Sequence, residues 1–545
     1  MGRVGYAAVS GWNYADVWEV VAEVLPDAPA LVHGDLHRSW NAFDRRADAF
    51  AAWLLGRGIG RGDTVAQYLY SCPEYLESVF ASFKLGLPPV NTNHRYAPDE
   101  LAYLWDNGDC GAVVFHGEFS ERVDAVRSRV PRVRAWVWVD DGSGACPEWA
   151  TPYTAALSEH GGGRVIAPWG RSPDDIYIVY TGGTTGMPKG VMWRQDDLFA
   201  VLNATAPVRY PEDGGLDDVR RMLVKPGPPH IPGAPLMHGT GSFTSFAVMA
   251  CGGSVVTLPG RHFSAVELLD TIEREGVRSL AIVGDAFATP MLAALDAQPS
   301  RWDVSSLRVI SSSGVMFSSA AKEGLLRHMP RLIIADTLGS SEALGMATSV
   351  STAGSSSTTA VFALGPRTRV ITEDGHDVVP GSGEVGLMAL RGRVPVGYYK
   401  DEDKSARTFR VIDGVRWSIP GDWATVEADG TLRLLGRGSQ CINTGGEKVY
   451  PEEVEEVIKT HPDVVDAACV GVPDERFGEI IVALVEARPG TVLEESSVVG
   501  HVKGHLAGYK APRRVVQLPT LGRAPNGKVD YKALRERALG EAPPR

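Results

Sequence analysis

Thr181-Gly-Gly-Thr-Thr-Gly-Met-Pro-Lys-Gly190, entered from the apolar run Ile176-Tyr-Ile-Val-Tyr180 and left through Val191-Met-Trp193, is the stretch on which the reading of this chain turns. Glycines and threonines crowd a short loop between two predicted strands. They expose backbone N–H groups and hydroxyls toward one point, and Lys189 adds a positive charge there. Such a loop suits a polyphosphate. It is not a Walker A loop, because Met187 and Pro188 separate Gly186 from Lys189 and no Ser or Thr follows the lysine directly. A hairpin turn alone needs only one or two special backbone positions, far fewer than this stretch supplies.

Outward from the loop, 545 residues at 44% hydrophobic and 22% charged are enough for a large core and more than one domain. A formal net charge of −12 argues against bulk attraction to nucleic acid or anionic lipid, so phosphate must be met by a focused site. The six cysteines, at 72, 110, 146, 251, 441 and 469, form no C-x-x-C pair and suggest neither a disulfide framework nor a structural zinc site. The N-terminal residues lack a signal-peptide pattern, and no apolar run is long enough to span a bilayer. A reducing cytoplasm is the expected compartment.

Strand and helix patterns alternate from 60 to 115, with strands at 64–70, 88–91 and 112–115 and helices at 73–84 and 98–105. The rhythm returns at 255–340, with strands at 255–258, 279–283, 307–310 and 332–334 and helices at 264–275, 287–296 and 318–329. This predicts an α/β fold whose large N-terminal domain holds two α/β lobes with parallel sheets. After about residue 360, short segments with Gly-rich turns predict a β-rich subdomain. A fresh unit follows, with helices at 451–460 and 494–506 and strands at 464–470 and 480–487, and it predicts a small mobile α+β C-terminal domain. The expected division is 1–436 and 437–545, with a hinge at Gly436-Arg-Gly-Ser439.

Four further segments join the loop: Leu338-Gly-Ser-Ser-Glu342, Pro420-Gly-Asp422, Gly436-Arg437 leading into Asn443-Thr-Gly-Gly-Glu-Lys448, and Arg523-Ala-Pro-Asn-Gly-Lys528. In order and spacing the set resembles the adenylate-forming superfamily of acyl-CoA synthetases, luciferases and peptide-synthetase adenylation domains. The resemblance implies an acid–thiol ligase using ATP, Mg²⁺ and coenzyme A: the carboxylate is activated as acyl-AMP, a far better acyl donor than the free acid, and then passed to CoA. Residues Thr181, Gly183, Thr184, Thr185, Gly186 and Lys189 are implied to hold the departing pyrophosphate. Gly314, Gly339 and Ser341 border the nucleotide, Ser341 reaching the α-phosphate, while Glu342 with Thr184 holds Mg²⁺. Asp422 is implied as the ribose ligand with Arg437 beside it. Lys528 is implied to neutralise the carboxylate and α-phosphate oxygens in the transition state. Gly445, Gly446 and Lys448 would line the approach of CoA, with Lys510 a second candidate for its phosphates.

His238 matches a family position near the substrate carboxylate. Gly239 and Gly241 are expected to leave room beside it, with Phe243, Phe287, Met316 and Phe317 as apolar walls of an acyl pocket; the alternative is that these aromatics pack the core. The segments 235–241, 283–287 and 313–317 resemble those of synthetases for bulky alicyclic acids, such as steroid side-chain acids in actinobacterial catabolism. Three departures touch the nucleotide half of the cycle: Leu338 stands where many relatives carry an aromatic, Ser439 where Lys or Asp marks the hinge, and Gly182 where Ser is frequent. Alternatives therefore stay open. One is a protein that runs mainly the CoA step on acyl-AMP from a partner enzyme; another loads an acyl carrier protein; a third is a non-enzymatic nucleotide binder.

Overall fold

The computed structural model describes residues 11–158, 163–181, 187–315, 317–355, 361–437, 442–444, 447–474, 477–506, 508–524 and 527–540. The chain forms two compact units, one of residues 1–344, 350–357 and 391–418, the other of 345–349, 358–390 and 419–545.

The first unit carries two sheets. One has eight strands in the spatial order Gly397–Tyr398, Lys189–Arg194, Ile176–Thr181, Pro89–Asn91, Thr64–Tyr68, Cys110–His116, Ala135–Val139 and Thr151–Pro152. From Ile176–Thr181 onward the pairs are parallel; the hairpin to Lys189–Arg194 and the added strand Gly397–Tyr398 are antiparallel. In the other sheet, Pro29–His33, Ser254–Thr257, Pro229–Pro232, Ser279–Ile282, Val309–Ser312 and Ile333–Ser340 lie side by side in parallel. Both expected α/β lobes are present, because helices such as Pro73–Lys84, Pro98–Asn107 and Ala265–Glu275 return the chain between parallel strands. Ser264 caps the last of these by accepting from the Glu267 N–H, and Gly276 at φ +58° ends it.

The first unit's largest core is aromatic. Trp18, Phe43, Phe80, Phe83 and Phe246 are fully buried, and Trp18 meets the other four rings at centroid distances of 5.3–6.1 Å. Helix Pro73–Lys84 is buried on nearly every side, and its last residue ends in a charge cluster: the fully buried Lys84 Nζ lies 2.8 Å from Glu19, 2.7 Å from Asp44 and 3.0 Å from Asp48. Arg171 grips both Glu19 oxygens at 2.8 Å. The lysine thus ties helices Tyr14–Val24 and Trp40–Gly56 to its own. Replacing Lys84 by Met strands buried carboxylates, and the expected cost is about 3–5 kcal/mol. Urea denaturation measures it. Burial already pushes the Asp44 carboxyl up, so the penalty shrinks as pH is lowered and that group takes up a proton.

The second unit begins with an antiparallel array in which Val361–Leu364 pairs with Thr431–Arg437, which pairs with Asp422–Val426, and that with Gly386–Arg391. Gly436 has φ +110°, a conformation that side-chain-bearing residues rarely adopt, and this favours glycine there. Beyond it lies a sheet of Glu447–Val449, Ile442–Thr444, Gly478–Ala487 and Val464–Asp474, with Arg514–Leu518 added in parallel to Gly478–Ala487. Helices Pro451–Lys459, Glu495–His505 and Tyr531–Gly540 complete the small α+β portion.

Candidate active site

The hairpin register places Thr181 opposite Lys189, so the two residues stand at the entrance and exit of the Gly/Thr loop. Gly183, Thr184, Thr185 and Gly186 lie outside the described residues. Lys189 Nζ sits 5.2 Å from the centroid of the Tyr398 ring, within cation–π range. Tyr398 is buried, pairs through its backbone with Val191, and donates its phenol to Glu342 Oε1 at 2.8 Å. Glu342 is itself only 6% exposed, and its carbonyl accepts from Ser418 Oγ at 2.6 Å. Next to it, the Ser341 carbonyl accepts from Trp193 Nε1 at 2.9 Å. One cation, one phenol and one carboxylate are thereby brought together from three separate stretches of chain. Gly339, the last-but-one residue of its strand, is half-buried.

Sequence reasoning missed Tyr398. It lies outside every motif quoted above, and its role depends on a strand pairing that no local pattern announces. Asn91 was missed too. Buried at the end of its strand, it accepts from the Tyr180 N–H at 2.7 Å and donates to the Tyr180 and Met237 carbonyls at 2.8 and 2.6 Å. All three bonds of this one amide join the entry to the Gly/Thr loop with the segment carrying His238. A polar residue ending a fully buried strand was the available signal.

His238 is half-buried and stands at the N-cap of helix Gly239–Ala250, where its carbonyl accepts from the Ser242 N–H at 3.0 Å. On the side of the missing Cβ, the space beside the two glycines is occupied. A Cβ at Gly241 would stand 2.4 Å from the Ala234 carbonyl and 2.5 Å from that of Pro235, and one at Gly239 would meet the Phe243 ring at 3.0 Å. The glycines let the first helical turn press against the preceding backbone. Phe243, Phe287 and Phe317 are 5%, 2% and 1% exposed and lie in core clusters, with Phe287 against Phe263 at 4.5 Å. Met316 lies outside the described residues. The helix also presents hydroxyls to this region: Thr240 Oγ1 pairs with Ser313 Oγ at 2.7 Å, next to Gly314 at φ +97°. Thr244 hydrogen-bonds His230, a buried imidazole whose pKa burial lowers to about 4 and which therefore stays neutral.

In the second unit, Asp422 is 9% exposed and pairs in register with Arg437. The side chains of Arg437 and Lys448 are outside what is described, as are Gly445, Gly446 and Ser439. Lys510 is held by Glu453 at 2.6 and 2.7 Å. Lys528 is exposed, one residue beyond Gly527 at φ +72°.

Residues 18–399 match the family described as AMP-binding enzyme, and residues 453–528 match the AMP-binding enzyme C-terminal domain. The chain is 39% identical to a medium/long-chain-fatty-acid–CoA/3-oxocholest-4-en-26-oate–CoA ligase of Mycobacterium marinum over 96% of both chains. It is also 39% identical to a 3-oxocholest-4-en-26-oate–CoA ligase of Rhodococcus rhodochrous over 95% of both. ATP-bound MatB from Rhodopseudomonas palustris superposes with a TM-score of 0.78 at 26% identity, over 96% of this chain and 99% of that one.

Proposed function

The chain belongs to the AMP-binding enzyme family and is an adenylate-forming acyl-CoA ligase, and from that premise we propose that it activates a bulky apolar carboxylic acid, of the long-chain fatty or steroid side-chain class, for transfer to CoA. The observation that supports the adenylating step is the Lys189–Tyr398–Glu342 constellation beside the Gly/Thr loop.

In the first half-reaction a carboxylate oxygen attacks the α-phosphorus of ATP and pyrophosphate leaves; in the second the CoA thiolate attacks the acyl carbonyl and AMP leaves. Lys189 meets the phosphate charge at the loop exit. Its position over the Tyr398 ring holds the ammonium there. Glu342 fits a magnesium ion, since it is a buried carboxylate whose phenol partner at Oε1 orients it. Glu342 would hold such an ion where its charge would offset that of the leaving pyrophosphate. His238, at the start of its helix, faces the acid's carboxylate where the helix dipole also favours an anion. Asp422 accepts from the ribose hydroxyls, and Lys528 neutralises the carboxylate and α-phosphate as they combine. Residues 1–436 supply the loop, the acid site and the nucleotide site, while 437–545 supply Lys528 and the CoA-lining segment.

The acid is read from the relatives, whose names pair fatty acids with a steroid acid. Pyrophosphate release and acyl-CoA formation, measured separately with acetate, a medium-chain fatty acid and a polycyclic carboxylic acid, test it. Expected is a preference for the larger acids by at least about tenfold in kcat/KM, because each methylene that a larger acid removes from water adds roughly 0.8 kcal/mol of binding that acetate lacks. A preference for acetate would refute the acid assignment. Acyl-CoA made only from supplied acyl-AMP, with no pyrophosphate released, would refute the adenylating step.

A further inference from the structure

Arg523 is tied to Lys528 by geometry that the reaction scheme does not use. Its Nε and Nη2 donate to Asp466 Oδ2 and Oδ1 at 2.5 and 2.8 Å, a bidentate grip on strand Val464–Asp474. Its remaining nitrogen, Nη1, donates to the Gly527 carbonyl at 2.7 Å. That carbonyl and the Lys528 N–H belong to one rigid peptide plane, so the guanidinium fixes the plane from which the lysine departs. Two more bonds close the turn: the Ala524 N–H donates to the Lys528 carbonyl at 2.8 Å and the Gly527 N–H to the Ala524 carbonyl at 2.7 Å. Downstream, Tyr531 Oη donates to the buried Glu455 at 3.0 Å and anchors the start of helix Tyr531–Gly540.

Asp466 is itself held in place. Its Oδ1 accepts from the Ala467 N–H at 2.8 Å and lies 3.4 Å from Lys459 Nζ. Burial alone would raise this carboxyl, but the Arg523 bond and the Lys459 charge outweigh it and keep the group below its ordinary range, ionised at neutral pH. A guanidinium can serve an acidic pair and a carbonyl at once because its donors are rigidly forked; an ammonium cannot. Lys528, by contrast, is exposed, and a long flexible chain reaching into a transition state gains most when its root is immobile.

We propose that Arg523, clamped by Asp466, is the positioning residue of Lys528 and is required for acyl-AMP formation without touching either substrate. The inference rests on the reading of Lys528 as the adenylating lysine. The test uses full-length wild-type protein and the variants Lys528→Ala, Arg523→Gln, Arg523→Lys and Asp466→Asn. Pyrophosphate release is followed with ATP and dodecanoate, and thioester formation with synthetic dodecanoyl-AMP and CoA. Arg523→Gln is expected to lower kcat for pyrophosphate release by about 10- to 100-fold, as for a reacting group displaced by an ångström. KM for ATP and for dodecanoate should stay within about twofold, and the thioester step should be unchanged. Arg523→Lys should recover part of the rate, and Asp466→Asn, which keeps the shape and removes the charge, should fall between wild type and Arg523→Gln.

Equal loss of both half-reactions would mean that Arg523 only holds the small domain folded, and would overturn the proposal. So would an unchanged kcat in both Arg523→Gln and Asp466→Asn while Lys528→Ala is inactive. If Lys528→Ala itself releases pyrophosphate normally, the reading of Lys528 fails and the inference falls with it, a result distinct from either of the others.

Discussion

Replacing Lys528 by Ala is expected to reduce acyl-AMP formation by about a hundredfold or more, the size found when a preorganised transition-state charge is removed. The lysine is exposed and follows a glycine in a left-handed conformation, so its side chain adds little to any core. The hydrophobic cluster of the small portion, built on Val482, Leu484, Val516 and Leu534, contains no part of it. Thermal stability should therefore stay close to wild type, and thioester formation from synthetic acyl-AMP should be largely spared. Single-turnover measurement of each half-reaction checks this. A variant with a normal overall rate would show that the lysine has another task.

Glu342→Gln is the second large effect expected. The substitution keeps the size of the side chain and an oxygen able to accept from Tyr398, but it removes the negative charge proposed to hold Mg²⁺. The expected outcome is a fall in kcat/KM for pyrophosphate release of about 10²- to 10³-fold, comparable to the loss of one preorganised electrostatic contact. Part of it should return as Mg²⁺ is raised. Tyr398→Phe is the control: it leaves the charge and frees the carboxylate to turn, so its loss should be smaller and less sensitive to Mg²⁺. A Glu342→Gln enzyme insensitive to Mg²⁺ over a wide titration would remove Glu342 from the metal site.

Much of the α/β framework was readable in the sequence because its elements carry local signals. The helix expected over 73–84 is Pro73–Lys84 in the structure, since Pro73 sits at its first turn and apolar residues recur at helical spacing. The strands expected at 279–283 and 464–470 appear as Ser279–Ile282 and Val464–Asp474; the second runs longer because its register with Gly478–Ala487 extends to Asp474. The strands flanking the quoted loop were equally legible and meet in antiparallel register.

The part expected of Gly239 and Gly241 turns on a choice that sequence conceals. A glycine is equally apt for leaving space and for letting backbone approach, and only the carbonyls of Ala234 and Pro235 at 2.4–2.5 Å from the missing Cβ of Gly241 distinguish the two. Phe287 and Phe317 are likewise ambiguous in sequence; in the structure they are 2% and 1% exposed and share a cluster with Leu280 and Ile310.

Local chemistry in the chain was thus sufficient to specify two α/β lobes, a β-rich stretch and a small C-terminal unit. Periodicity, caps and Gly-rich loops act over a few neighbouring residues and need no distant partner. The partners that orient those residues came from folding alone: Tyr398 on Glu342 across 56 positions, Asn91 between Tyr180 and Met237, and Asp466 gripping Arg523 across 57. Each is a polar side chain whose bond is made to a group far away in sequence. Its function resides in a distance and an angle that strand order and register create, and no run of neighbouring residues encodes them.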